Sequence, residues 1–164
     1  MTKHSRNGFT LLEAVIYAGL FAVILSAVLG MFYSLMESER RNRERLAVES
    51  EANFVMQKIA WALTGIESVN SPASGATSTA LSVDKFGFDD DPIVFELGSG
   101  RITMSKGSGE AADLFSSRVR ALDLVFENMP AAAGRPPGVA VNISAGDVSG
   151  RASTTLSGKF YLRQ

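Results

Sequence analysis

Gly8-Phe9-Thr10-Leu11-Leu12-Glu13 runs directly into AVIYAGLFAVILSAVLGMFYSLM, residues 14–36. These 23 residues carry no charged side chain. As a helix rising 1.5 Å per residue they span roughly 35 Å, enough to cross the ~30 Å hydrocarbon layer of a bilayer. A soluble helix apolar on every side needs protein around every side, and a chain of 164 residues has little to wrap it with. A secretory signal peptide has a shorter apolar stretch, about 7–15 residues, followed by a small-residue cleavage site. Here the apolar stretch continues without a break into Glu37-Ser38-Glu39-Arg40-Arg41-Asn42-Arg43-Glu44-Arg45, which reads as helix. A membrane-spanning helix is the reading that remains. Glu13 stands at its mouth, where packing gives no reason for a charge. A carboxylate costs about 2.5–3.5 kcal/mol at a bilayer centre and less toward the edge, so it marks a function.

Beyond the span the helix is expected to continue. Val48, Ala52, Val55, Ile59, Leu63 and Ile66 recur at spacings of three and four, one face of an amphipathic helix. Leu46, Phe54, Met56 and Trp61 flank that face, and Gly65 supplies a stop signal. A helix over residues 9–66 would be roughly 85 Å long, natural for a membrane-anchored subunit. Asn70 to Thr79 reads as a loop. The period then changes to two. Ile93, Phe95 and Leu97 form one strand, Gly98-Ser99-Gly100 turns the chain, and Ile102 and Met104 resume the pattern. Leu122, Leu124 and Phe126 form a further strand, then Val139, Val141 and Ile143, then Leu156, Phe160 and Leu162, bent at Gly158. A weaker strand covers Leu81 to Phe86. Pro130 to Gly138 and Ser144 to Ser153 read as loops. The strands cannot bury their apolar faces alone, and the amphipathic part of the helix supplies the missing layer.

The short basic leader with Lys3 and Arg6, the Gly8-Phe9 junction, Glu13 and the apolar helix together resemble the class III signal of type IV pilins and type II secretion pseudopilins. The resemblance covers about residues 3–36 and is specific as a set. It implies that prepilin peptidase, a membrane aspartyl peptidase, cuts between Gly8 and Phe9, and that Phe9 becomes an N-methylated amino terminus. It implies that Glu13 neutralises the terminal amine of a neighbouring subunit during filament assembly. The implied fold is α+β and pilin-like: one long N-terminal helix, membrane-spanning then amphipathic, on an antiparallel sheet of about four to six strands. The implied organisation is a leader at 1–8, a transmembrane and assembly helix at 9–36, its amphipathic continuation at 37–66 and a β-sheet head at 67–164. Implied partners are other pilin or pseudopilin subunits, the membrane and an inner-membrane assembly platform. The implied location is the inner membrane, single-pass, with a cytoplasmic N-terminus and an extracytoplasmic head, and then a filament in the periplasm or on the cell surface. Charge alone leaves orientation open, because Lys3 and Arg6 oppose Arg40, Arg41, Arg43 and Arg45 across the span. Ser117 to Phe126 and Phe54 to Ile59 resemble, less specifically, segments of J-type or W-type minor subunits. The sequence departs from many major pilins in having Gly30 where they have a mid-helix proline. Gly30 reads equally as a point of local stretching or of close helix packing.

Several chemistries have no residues to carry them. The single histidine, His4, lies in the leader, and the chain has no cysteine. After cleavage no Ser-His-Asp or Cys-His arrangement and no His/Cys zinc site can form, so an enzyme is not expected. No phosphate-binding loop occurs and no cofactor is implied. Loss of the leader leaves 14 basic against 17 acidic side chains, a charge of −3, which gives direct nucleic-acid binding no electrostatic basis. Asp89-Asp90-Asp91, before Pro92, is the one acidic cluster. It is a weak calcium candidate, since three consecutive aspartates lack the spaced ligands of a calcium loop and suit a solvated turn. The rival functional class is a membrane-anchored binding protein that never polymerises. A plain anchor has no need of the Gly8-Phe9 junction or of Glu13.

Overall fold

The computed structural model of the chain describes residues 10–132 and 134–162. Among the described residues one helix, α1 (Leu11–Ala62), precedes nine strands: β1 (Ile66–Ser71), β2 (Thr77–Ser78), β3 (Ala80–Lys85), β4 (Ile93–Gly98), β5 (Arg101–Lys106), β6 (Ala112–Asp113), β7 (Val119–Met129), β8 (Gly138–Asp147) and β9 (Ser153–Tyr161). The chain divides into two compact units, Met1–Arg40 and Arg41–Gln164. The expected α+β layout, a long N-terminal helix packed on antiparallel strands, is the one observed.

Within the second unit, α1 buries Val48, Ala52, Val55, Ile59 and Ala62, the face that its sequence period marks. That face shares one core with Leu81, Val83, Ile93, Phe95 and Ile102, and with Leu124, Phe126, Val139, Val141 and Ile143. The strands form two sheets where the sequence suggests one. Five strands run in the order β1-β3-β4-β5-β6 and four in the order β2-β7-β8-β9. Residues 114–118 carry the chain from β6 in the first sheet to β7 in the second. Arg101 fastens this crossing, bonding the Asp113 carboxylate at 2.6 Å and the Phe115 carbonyl at 2.9 Å. Glu51 on α1 accepts from the Ser116 N–H at 2.9 Å and its hydroxyl at 2.6 Å.

The helix stops four residues before the expected Ile66. Gly65 takes a left-handed φ of 69°, and Lys85 donates from Nζ to the Trp61 and Thr64 carbonyls at 2.9 and 2.5 Å. A cation on the last carbonyls of a helix offsets their unpaired negative ends. Ile66 therefore begins β1, and part of the expected loop at 70–79 belongs to β1 and β2. The β4–β5 hairpin forms as expected: Ser99 and Gly100 both have positive φ, 52° and 74°, between the paired Gly98 and Arg101.

Two strand details differ from the alternation in the sequence. Leu122 is exposed, and Ala121 is buried in its place. The β7–β8 register slips between Ala121 and Asp123, and an extra residue in one strand reverses the facing of what precedes it. The Leu122 side chain then lies over Gly146, where an added Cβ would meet its Cδ1 at 3.1 Å. The expected loop at 144–153 contracts to a tight turn because β8 extends to Asp147 and β9 begins at Ser153.

Candidate functional site

Thr10 precedes the first turn of α1, and its Oγ1 accepts the backbone N–H of Glu13 at 3.3 Å. Thr10 is thus the N-cap and Glu13 the third helical residue, inside the first turn. The Thr-x-x-Glu spacing at 10–13 is itself a capping signature, and sequence reading centred on the charge of Glu13 passes over it. A carboxylate there also lies at the positive end of the helix dipole. Gly8 and Phe9, the expected cleavage junction, lie outside the described residues.

From Val15 to Met36 every large apolar side chain of α1 is exposed, from 45% for Leu25 to 79% for Tyr33. An 18-residue window of the helix has mean hydropathy 2.4, and none of it is buried. The helix is long and apolar enough to cross a membrane, and its place near the N-terminus suits single-pass anchoring. Ser26 returns its hydroxyl to the Ala22 carbonyl at 2.7 Å, so that this polar group is satisfied within the helix. α1 passes through Gly30 uninterrupted. A Cβ added at Gly19 or Gly30 would meet nothing within 4 Å, so neither glycine serves a close approach inside this chain.

The aspartate cluster is partly committed to the backbone. Both oxygens of Asp91 accept the Lys85 N–H, at 3.1 and 3.0 Å, which closes the turn between β3 and β4. Asp89 and Asp90 are exposed beside it. Among the described residues no group of three or more His, Cys, Asp or Glu side chains is arranged to hold a metal ion.

Two further features of the head were not anticipated. Trp61 meets Phe88 edge to face at 5.9 Å, with the Lys85 and Lys106 ammonium groups 4.7 and 5.1 Å from the Trp61 ring centre. This cluster clasps the end of α1 to the β3–β4 turn. An open depression of about 520 Å³ is walled by Ala47, Val48, Glu51, Arg118, Val119 and Val148. At its rim the Asp147 carboxylate accepts the Ser149 hydroxyl and the N–H groups of Ser149 and Ala152. The Ser149 hydroxyl, then the Ala152 N–H, hold the Asp147 pKa down at about 2. These bonds belong to the turn itself and offer a ligand nothing.

α1 thus brings together a capped start, one carboxylate in the first turn, and an exposed apolar surface behind it. No family model matches the chain, and no curated protein or solved structure matches it either.

Proposed function

We propose that the chain is a minor pilin or pseudopilin, a non-enzymatic structural subunit of a type IV pilus or a type II secretion pseudopilus. Prepilin peptidase cuts it between Gly8 and Phe9, and it enters a filament through α1. One observation carries the reading: Glu13 stands in the first turn of a helix whose next 23 residues are uncharged. A carboxylate so placed is costly in apolar surroundings unless a cation meets it, and the new amino terminus of a neighbouring subunit supplies one. The exposed apolar surface serves first as membrane anchor and then as the packing surface between subunits. On this reading the head lies outside the inner membrane and the assembly platform engages the chain from within it.

The test is co-expression with a prepilin peptidase followed by mass spectrometry of the mature N-terminus. The expected product begins with methylated Phe9. A first residue other than Phe9 would overturn the proposal.

The Thr10–Glu13 bond favours a second reading, a membrane-anchored binding protein that stays monomeric, because a capping role accounts for Glu13 locally. Disulfide crosslinking of cysteines placed along residues 14–36 in the membrane separates the two. Ordered crosslinks between helices are expected of a filament subunit, and their absence would favour the plain anchor.

A further inference from the structure

Four strands stand at the edges of the two sheets: β1 and β6 in one, β2 and β9 in the other. Three of these edges are blunted. β2 and β6 are two residues long, and the pairing of β1 with β3 slips twice, between Ile66 and Ser68 and between Val69 and Ser71. Short or bulged edges resist pairing with another chain. β9 has neither protection. It is nine residues long and pairs with β8 in unbroken register from Tyr161 opposite Gly138 to Ser153 opposite Gly146. It contains no proline, and among the described residues no strand pairs with its other side. Its side chains alternate between half-buried and exposed along its whole length, so its pleat is regular. Such an edge is a template for one more strand.

Charge and shape narrow the occupant. From residue 148 to 162 the charged side chains are Arg151 and Lys159, with no acid among them. Lys159 makes no ion pair among the described residues. Its strand end borders an open groove of about 550 Å³, where Phe160 and Tyr161 face Leu63, Gly65 and Ile66. A second copy presenting its own β9, paired antiparallel about Ser157, sets Thr155 opposite Lys159 and brings it no carboxylate. A strand bearing carboxylates gains at the same position.

We propose that β9 is a docking edge for an extended acidic segment of another protein, which adds as a fifth strand to the β2-β7-β8-β9 sheet. Backbone hydrogen bonds along Ser153–Tyr161 hold it, a carboxylate meets Lys159, and an apolar side chain fills the groove beside Phe160 and Leu63. This docking is independent of whether the chain polymerises.

The full chain in detergent micelles is titrated with a labelled nine-residue peptide of alternating valine and threonine that carries two glutamates at one end. A matched peptide has lysines in place of the glutamates. The glutamate peptide is expected to slow amide exchange within 153–161 and leave β1 unchanged, and to bind about fivefold more tightly than the lysine peptide. Lys159→Glu, at an exposed position, is expected to reverse that preference. Equal binding of the two peptides, a Lys159→Glu variant that still prefers glutamate, or unchanged exchange at 153–161 would each overturn the proposal. So would protection of 153–161 that grows with protein concentration in the absence of peptide, which would assign the edge to a second copy.

Discussion

Thr10 and Glu13 are joined by a hydrogen bond of 3.3 Å, from the Glu13 N–H to the Thr10 Oγ1. This one contact gives Glu13 two roles that substitution can separate. Its backbone and first-turn position serve the cap, while on the proposed function its charge meets the amino terminus of another subunit. Glutamine serves a helix cap as well as glutamate does but brings no charge. Glu13→Gln is therefore expected to insert, be cleaved and stay helical, yet to enter filaments on the order of a hundredfold less, since a buried amine without its partner costs about 3–5 kcal/mol. Glu13→Val should show the same loss. Quantitative immunoblotting of sheared filaments measures both. Normal incorporation of Glu13→Gln would remove the charge from the mechanism.

Thr10→Ala is the complementary substitution. It removes the cap acceptor and leaves the carboxylate. The expected cost is about 1 kcal/mol, confined to the first turn of α1. Incorporation should persist, and amide exchange at Leu12 and Glu13 should quicken. A loss of incorporation as deep as that of Glu13→Gln would mean that the start of the helix, rather than its charge, limits assembly.

Lys85 closes the other end of α1. Its ammonium bonds the Trp61 and Thr64 carbonyls and lies 4.7 Å from the Trp61 ring centre. Lys85→Ala removes all three interactions and is expected to cost about 1–2 kcal/mol, after allowance for exposure. Thermal unfolding of the full chain in detergent, followed by Trp61 fluorescence, should show a lower midpoint and an earlier change around Trp61. Phe88, which meets the same ring, should loosen with it.

What the sequence made legible follows from the range of the signals. The buried face Val48, Ala52, Val55 and Ile59 repeats over several turns, so its period was unmistakable. The Ser99-Gly100 hairpin was legible because its turn chemistry is local. β2 and β6, at two residues each, are too short to show any period. Leu122 read as a core residue because alternation assumes an unbroken register, and the slip after Ala121 depends on pairing with β8. The cut at Ala62 was displaced because the cation that closes the helix, Lys85, lies 23 residues further on. Glu13 was legible as an unexplained charge, but Thr10 as its cap was overlooked. The open edge of β9 follows from strand order alone, which no local pattern encodes.

Asp147 makes the β8–β9 turn sensitive to acid. Hydrogen bonds from the Ser149 hydroxyl and the Ala152 N–H lower its pKa from 3.8 to about 2. The sign follows from linkage. A depressed folded-state pKa means that the contribution is fully present above the unfolded value and is lost as pH falls through the folded one. The turn should therefore hold at pH 5 and loosen between pH 4 and 2. Protection factors at Ser149 and Ala152, taken relative to the intrinsic exchange rate at each pH, should fall across that window, with those of the core of the head unchanged at its upper end. Asp147→Asn, which cannot ionise, should abolish the pH dependence of the protection at these two amides.

Gly138 opens β8 opposite Tyr161 of β9. A Cβ built there would lie 2.6 Å from the Phe160 carbonyl oxygen, 3.1 Å from Met129 Cε and 3.3 Å from Tyr161 Cδ1. The methionine and tyrosine can turn aside, but the carbonyl belongs to the backbone of β9 and cannot. Gly138→Ala must therefore push the two strands apart, at an expected cost of about 1–3 kcal/mol. The strain falls where Gly138 pairs with Tyr161, at the end of β9 nearest the groove beside Leu63. Exchange should quicken first at Phe160 and Tyr161, while Leu156, packed against the core further along the strand, stays protected. Gly30→Ala is the control. An added Cβ there meets nothing within 4 Å, and alanine favours a helix by about 1 kcal/mol over glycine. In detergent, Gly30→Ala should leave the melting of the head untouched while Gly138→Ala lowers it. If Gly138→Ala melted like the parent chain, β9 would have room to move away from β8 at that end, and its pairing would be looser than the unbroken register indicates.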